Sequence, residues 1–377
     1  MRFKFILALF FTFFFSLCSS VSAQENVPRV LPPEPPEENL YQGKVIEIFG
    51  EGTTHINGIE NRFQDVRVEL LSGPQKGSTV DIKHGSFSTL TQSSTVEKDD
   101  HVVILEFERP DGSMEYSITD KYRLNTLLMF AGLFVLAVMS IARWKGVGSL
   151  IGLGVSFLVI IYFIIPQILA GKNPLLISIV GASIIMITTL YLAHGFYKKT
   201  TIALISTMIT FVFIGILSVI AVHISRLSGL GSEEAYSLQY GLMNQVNFQG
   251  LFLGGILIGA LGVLDDVTTS LTTAIFEIAK NHKNASFGGL FKSGMEIGRE
   301  HIASLVNTLV LAYAGASLPI FLFIVINPSG NPLWSILNNE LVAEEIIRVL
   351  VGSFGLVLAV PLTALLASYG AFRDLKN

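Results

Sequence analysis

The chain predicts an all-α polytopic membrane bundle of about seven transmembrane helices, preceded by a small extracytoplasmic all-β domain of the OB or SH3-like barrel kind. Three observations predict it. Of 377 residues, 51% are hydrophobic and 14% are charged, against about 25% charged in soluble domains. From Leu124 onward, apolar runs of bilayer-spanning length follow one another. Between Tyr41 and Tyr122 the hydrophobic period is two instead.

Residues 1–23 read as an export signal: Arg2 and Lys4, the apolar run Phe5–Leu17, then Val21-Ser-Ala23 as a small-residue cleavage site. The other reading is an uncleaved first span, for which the run is short. Cys18, the only cysteine, falls in this segment, so the mature chain is expected to have no disulfide and no thiol metal site. A lipidated Cys18 is the alternative, although Phe-Ser-Leu before it lacks the small residue that processing prefers. Residues 24–40 form a linker with five prolines among acidic residues and too little apolar surface to fold.

In 41–122, Ile46/Ile48, Val66/Val68/Leu70, Val80/Ile82 and Val103/Leu105/Phe107 recur every second residue, as inward faces of half-buried strands do. Asn57-Gly58, Ser72-Gly-Pro74 and Pro110-Asp-Gly112 separate the runs as turns. This domain is either a binding module outside the membrane or a structural cap; it has no basic face with interleaved aromatics for nucleic acid.

The membrane part, 124–377, divides into candidate spans Leu124–Ala142, Gly148–Pro166, Leu175–Ala193, Ile202–Ile224, Phe248–Leu264 or further, Ile302–Ile326 and Ile346–Ala367. Arg143/Lys145, Lys198/Lys199, Lys280/Lys283/Lys292/Arg299 and Arg373/Lys376 fall on alternate ends. That asymmetry predicts a multi-span membrane protein with its N-terminal domain outside and its C-terminus in the cytoplasm. Phe287, Leu290, Phe291, Met295 and Ile297 read as a helix lying on the inner membrane surface. Pro319 and Pro361 fall inside spans and are expected to kink them.

The candidate site begins with the acidic doublet Asp265-Asp266, reached by a glycine-rich apolar run. A charge at the bilayer centre costs about 2.5–3.5 kcal/mol on insertion scales. Asp266, Ser270, Thr273 and Glu277 share one helical face, which should look toward the bundle or a wet path. The later span carries Glu300, Ser304, Asn307 and Thr308 at helical spacing, an expected partner face for the aspartates. Gly250, Gly254, Gly255, Gly259 and Gly262 read first as helix-packing positions. The depth of the doublet stays open. A span of Phe248–Leu264 puts it at the inner interface, where Asp265 would merely cap a following helix. A span from about Gly254 to Ala279 puts it near the midplane, where it could exchange protons. The net charge of −4 offers no case for nucleic acid. No phosphate loop, zinc-protease motif or nucleophile elbow occurs, so neither an enzyme nor a cofactor or metal is expected.

Gly259-Ala-Leu-Gly-Val-Leu-Asp265-Asp266-Val, Gly298-Arg-Glu-His-Ile and Asn307-Thr-Leu-Val-Leu-Ala-Tyr-Ala-Gly-Ala-Ser-Leu-Pro319 resemble the YibE/F family of bacterial multi-span membrane proteins. The likeness covers the membrane half from about Leu124 and extends to the barrel. Against it, Asp266 reads as the matching acid and Asp265 as the departure. The resemblance implies no particular activity. A looser similarity over about Gly254–Pro319 is to RND pumps and the SecD/SecF translocation subunits, which also set a membrane acid beside an exported domain. It implies a proton-relaying carboxylate.

Two functions follow as expectations. One is a proton-coupled transporter or permease in which Asp266, helped by Asp265, titrates and Ser270, Thr273, Asn307 and Thr308 line the path. The other is a non-transporting assembly or sensing protein whose β domain binds an envelope partner. The expected surroundings are the lipid bilayer, with self-association through the small-residue faces.

Overall fold

The computed structural model describes residues 39–56, 59–85, 90, 94–109, 112–241, 246–282, 284–326 and 330–376. The export signal and nearly all of the proline-rich linker lie outside them. The chain divides into two compact units, one ending at Ala137 and one beginning at Val138.

The first unit is built on a five-stranded antiparallel sheet in the order β3-β2-β1-β4-β5. Its strands are β1 (Asn39–Ile56), β2 (Ile59–Leu70), β3 (Thr79–His84), β4 (His101–Glu108) and β5 (Met114–Lys121). At 18 residues β1 is about three times a common strand. Register shifts at Val45/Glu47 and Ile48/Gly50 bend it. Its first part pairs with β4 and the remainder with β2. Gly43 sits where both pairings overlap, and a Cβ there would overlap Ile104. The edge strands β3 and β5 approach each other without a shared ladder, so the sheet curls into a half barrel.

Val66, Val68 and Leu70 are buried as their alternation predicts, while Arg67 between them turns outward to Asp81 at 2.8 Å. The phase of β4 is opposite to the expected one. Val102 and Ile104 are buried, and Val103, Leu105 and Phe107 are only half-buried. The run is apolar on both faces, and the third member of the buried face is Glu106, which disguises the pattern. Its carboxylate accepts hydrogen bonds from the hydroxyls of Tyr41 (3.0 Å) and Tyr116 (2.7 Å). Burial, the hydrogen bond and the charge of Glu106 push the Tyr116 hydroxyl up to about 12, so it stays a donor. The bulge at Val45/Glu47 likewise buries Val45 in place of Ile46.

His84 is 7% exposed and its Nε2 lies 3.1 Å from the Ser94 carbonyl. Burial holds its pKa below the ordinary 6.5, against the Ser94 hydrogen bond and with the charge of Lys121. A depressed histidine pKa means the unfolded chain takes up the proton first. The stability of this unit is therefore full above about pH 6.5 and falls as the pH drops through the lower folded value. Hydrogen exchange of the full chain at pH 7.5 and 5.5 should show β3 opening more at the lower pH. His84→Gln should flatten that difference; an equal difference in the variant would contradict it.

The helical elements are α1 (Leu124–Val159), a π turn (Ile160–Ile164), α2 (Ile165–Leu169), α3 (Pro174–His194), α4 (Lys198–Ile224), α5 (Glu233–Gly241), α6 (Phe248–Asn281), α7 (Phe287–Ala316), α8 (Leu318–Ile326), α9 (Leu333–Leu337) and α10 (Glu340–Lys376). Among the described residues, five helical segments are long and apolar enough to cross a membrane: Leu124–Leu169, α3, α4, α6 and α10. The pair α7 and α8 is bent by 73° at a short break beside Pro319 and adds a sixth if it is counted as one broken span. Within Leu124–Leu169 two helices meet at a kink, and the expected segments Leu124–Ala142 and Gly148–Pro166 fall on either side of it. The kink is at Arg143, with φ 51° and ψ −133°. Pro361 does not end α10.

Helices α6 and α10 form the centre of the second unit, with α4 and α7 packed on them. Close approach is made by glycines facing branched side chains: Gly355 against Ile214, Gly370 against Ile202, Gly294 against Ile275 and Gly298 against Val360. The segment expected to lie on the membrane surface is instead the start of α7. Leu290 is buried in the bundle core, and Phe291, Met295 and Ile297 pack against it. These apolar residues lie on the side of the helix that carries Gly294 and Gly298, which takes them inward.

Candidate functional site

Helix α6 starts where the Asn247 side chain accepts from the Gly250 N–H at 2.9 Å. It then runs unbroken for 34 residues, held by a fully buried stripe that includes Leu257, Leu264, Val267, Leu271 and Ile275. Asp265 and Asp266 therefore lie midway along one helix, not at a boundary between two. At 34 residues the helix is longer than one crossing needs, and both expected spans lie within it.

The two carboxylates have different surroundings. Asp266 is exposed. Asp265 is half-buried, and its Oδ1 is buried with no hydrogen-bond partner. The next helical turn does not help it. Thr269 donates to the Asp265 carbonyl at 2.7 Å and Ser270 to the Asp266 carbonyl at 2.5 Å. Those hydroxyls therefore turn back to the main chain rather than to the carboxyls. On the buried side, Thr268 and Thr207 of α4 share a hydrogen bond of 2.7 Å, and Thr272 keeps a buried, unpartnered hydroxyl. A seam of polar groups thus runs through the apolar contact between α4 and α6 beside Asp265.

A cavity of about 630 Å³ opens along the same stretch. Thr269, Ser270 and Thr273 of α6 form one wall, and Tyr197, Lys199 and Thr200 at the start of α4 form another. Lys145, His194 and Ala203 complete the lining. Asp266 is near enough to His194 for its charge to be felt there. Ser270 and Thr273 thus stand on the cavity wall, on the turns of α6 that follow the doublet.

Other expected site residues stand elsewhere. Glu277 is exposed and 3.9 Å from Lys280. Glu300, Ser304, Asn307 and Thr308 are exposed, on the side of α7 away from its buried Leu290, Gly294, Gly298 and Leu309. Thr308 donates to the Ser304 carbonyl at 3.0 Å. Among the described residues no hydrogen bond joins Asn307 or Thr308 to either aspartate. Helix α7 does pass α6, but through Ile275 beside Gly294 and the Tyr313 hydroxyl over Gly259.

The glycines divide by face. Gly250 and Gly254 are buried against α3, where a Cβ on Gly254 would overlap Ser178. Gly255 and Gly262 are exposed, with nothing within 4 Å of a built Cβ. Among the described residues no three His, Cys, Asp or Glu side chains group as metal ligands.

Sequence reasoning used Lys145 and Lys199 only as orientation markers and passed over His194 and Thr200. A signal was present: Thr200, Ala203, Thr207 and Thr210 continue one helical face of small and hydroxyl residues into the apolar run of α4. All four are buried.

The apolar helices and the separate sheet define a multi-span membrane protein carrying an antiparallel half-barrel domain. The family model described as YibE/F-like protein matches residues 130–373, and the chain belongs to that family. No curated protein and no solved structure matches it.

Proposed function

We propose that the chain is a proton-coupled transporter of the permease type, not an enzyme, in which Asp265 and Asp266 form the proton-exchanging site. The observation that carries this reading is the Asp265 carboxyl. It sits midway along an apolar 34-residue helix with one oxygen buried and unpartnered. Uncompensated burial of that kind is costly and is characteristic of working sites in membranes. The hydroxyl-lined cavity one turn away supplies the polar route that a proton needs.

The basic residues clustered at the cavity end argue that this end faces the cytoplasm of a bacterial plasma membrane, with the β domain outside. In this reading Leu124–Leu169 crosses twice, giving seven spans. As a continuous 46-residue helix it would be about 69 Å long, more than twice the hydrocarbon thickness. Arg143 is where it would fold back. The strand order and the approach of β3 to β5 favour an OB-like barrel, which would deliver or gate substrate. One charge moving inward gains about 2.3 kcal/mol per 100 mV, enough to bias a two-state bundle.

The test is proton uptake by proteoliposomes under an imposed pH gradient. The wild type should take up protons, and Asp265→Asn should fall to the protein-free rate. Equal uptake by the variant, together with capture of an envelope protein by the full chain, would transfer support to the assembly or sensing role.

A further inference from the structure

The start of α4 has features that proton exchange does not use. The helix is 27 residues long, and its preceding residue, Tyr197, is extended and supplies no side-chain cap. The first main-chain N–H to find a carbonyl is that of Thr201, which bonds to Tyr197 at 3.1 Å. The N–H groups of Lys198, Lys199 and Thr200 precede it and have no helical acceptor, as at any helix start. A helix start alone is common, but the Thr200 side chain is not. It is 3% exposed, its Oγ1 is buried without a hydrogen-bond partner, and it lines the cavity. An orphaned buried hydroxyl is costly, and a ligand accepting its hydrogen bond removes that cost.

The charges agree with this. Lys198 is held by Asp374. Lys199 and Lys145 line the cavity, and among the described residues neither forms an ion pair. His194 stands with them. Asp266 is the opposing charge nearby, beyond the hydroxyls of Thr269 and Ser270, whose protons are already given to carbonyls. Thr200 with its orphaned hydroxyl, Lys199 beside it at the uncapped helix start, and Lys145 all border one space. That set matches a tetrahedral oxyanion, and about 630 Å³ holds a phosphate with room for what is attached to it.

We infer that this cavity binds a phosphate-type oxyanion through Thr200 and the start of α4, with Lys199 and Lys145 as counter-charges. The ligand is either a free phosphate or the headgroup of an anionic phospholipid, since the cavity opens at an end of the bundle. The inference is independent of the proton reading, and Asp265→Asn should leave the binding intact.

The experiment uses the purified full chain in a neutral detergent. One arm titrates inorganic phosphate calorimetrically. The other measures, by native mass spectrometry, phosphatidylglycerol retained after incubation with mixed phosphatidylglycerol–phosphatidylcholine micelles. Lys199→Gln and the near-isosteric Thr200→Val should each weaken binding about tenfold in the arm that shows it. Thr200→Ser should restore it, and Lys292→Gln, away from the cavity, should not change it. Loss in the phosphate arm identifies a soluble ligand, and loss confined to the lipid arm identifies a headgroup. Binding in neither arm, or binding indifferent to both Lys199→Gln and Thr200→Val, overturns the inference.

Discussion

Asp265→Leu should make the protein more heat-resistant in detergent while abolishing its proton uptake. The wild-type carboxyl holds a buried oxygen without a partner, and an unsatisfied buried polar group costs about 1–3 kcal/mol. Leucine removes the group and extends an apolar helix. A gain in stability with a loss of activity is the signature of a residue kept for its chemistry. Asp266→Leu is the comparison. Its side chain is exposed in the monomer, so its effect on melting should stay within about 0.5 kcal/mol. Thermal denaturation followed by size-exclusion chromatography decides the matter. A lower melting temperature for Asp265→Leu would mean that the carboxyl is a structural anchor.

The largest loss of stability is expected from Gly298→Leu. Helix α7 reaches α10 at this glycine, and even a Cβ would overlap Val360 Cγ1. Val360 is fully buried and branched at Cβ, so it has little freedom to give way. Overpacking of a tight contact costs about 1–3 kcal/mol, and leucine adds more than a methyl group. Helix α7 should separate from α10, and the protein should elute as aggregate after mild heating. Gly255→Ala is the opposite case. Nothing lies within 4 Å of its built Cβ, so alanine should be neutral or gain about 0.5–1 kcal/mol of helix preference. A tolerated Gly298→Leu would show that the two helices are not held at this crossing.

These two sites mark what could be read from the residues and what could not. The apolar runs and the period-two region separate the membrane part from the sheet, because both periods follow directly from backbone geometry. The phase of β4 could not be read. Val102, Val103, Ile104 and Leu105 offer apolar residues to both faces, and the buried face ends in Glu106, whose tyrosine partners stand on the two flanking strands, Tyr41 on β1 and Tyr116 on β5. The crossing of α7 by Gly298 and Val360 is a meeting of residues about sixty apart, for which local pattern holds no information. The same limit applies to the site. The doublet, Ser270 and Thr273 share a face by spacing alone. The expected approach of Asn307 depended on how α7 is rotated, and the rotation is set by Gly294 and Gly298. Thr200 and Lys199 reach the cavity only because α3 and α4 meet beside α6.

The central claim is that the Asp265 carboxyl, sheltered within the bundle, takes up and releases protons. Infrared difference spectroscopy of the reconstituted protein between high and low pH observes this directly. On acidification the wild type should gain the carbonyl stretch of a protonated carboxylic acid in apolar surroundings, and Asp265→Asn should lack that band while Asp266→Asn keeps it. A band that persists unchanged in Asp265→Asn would contradict the account.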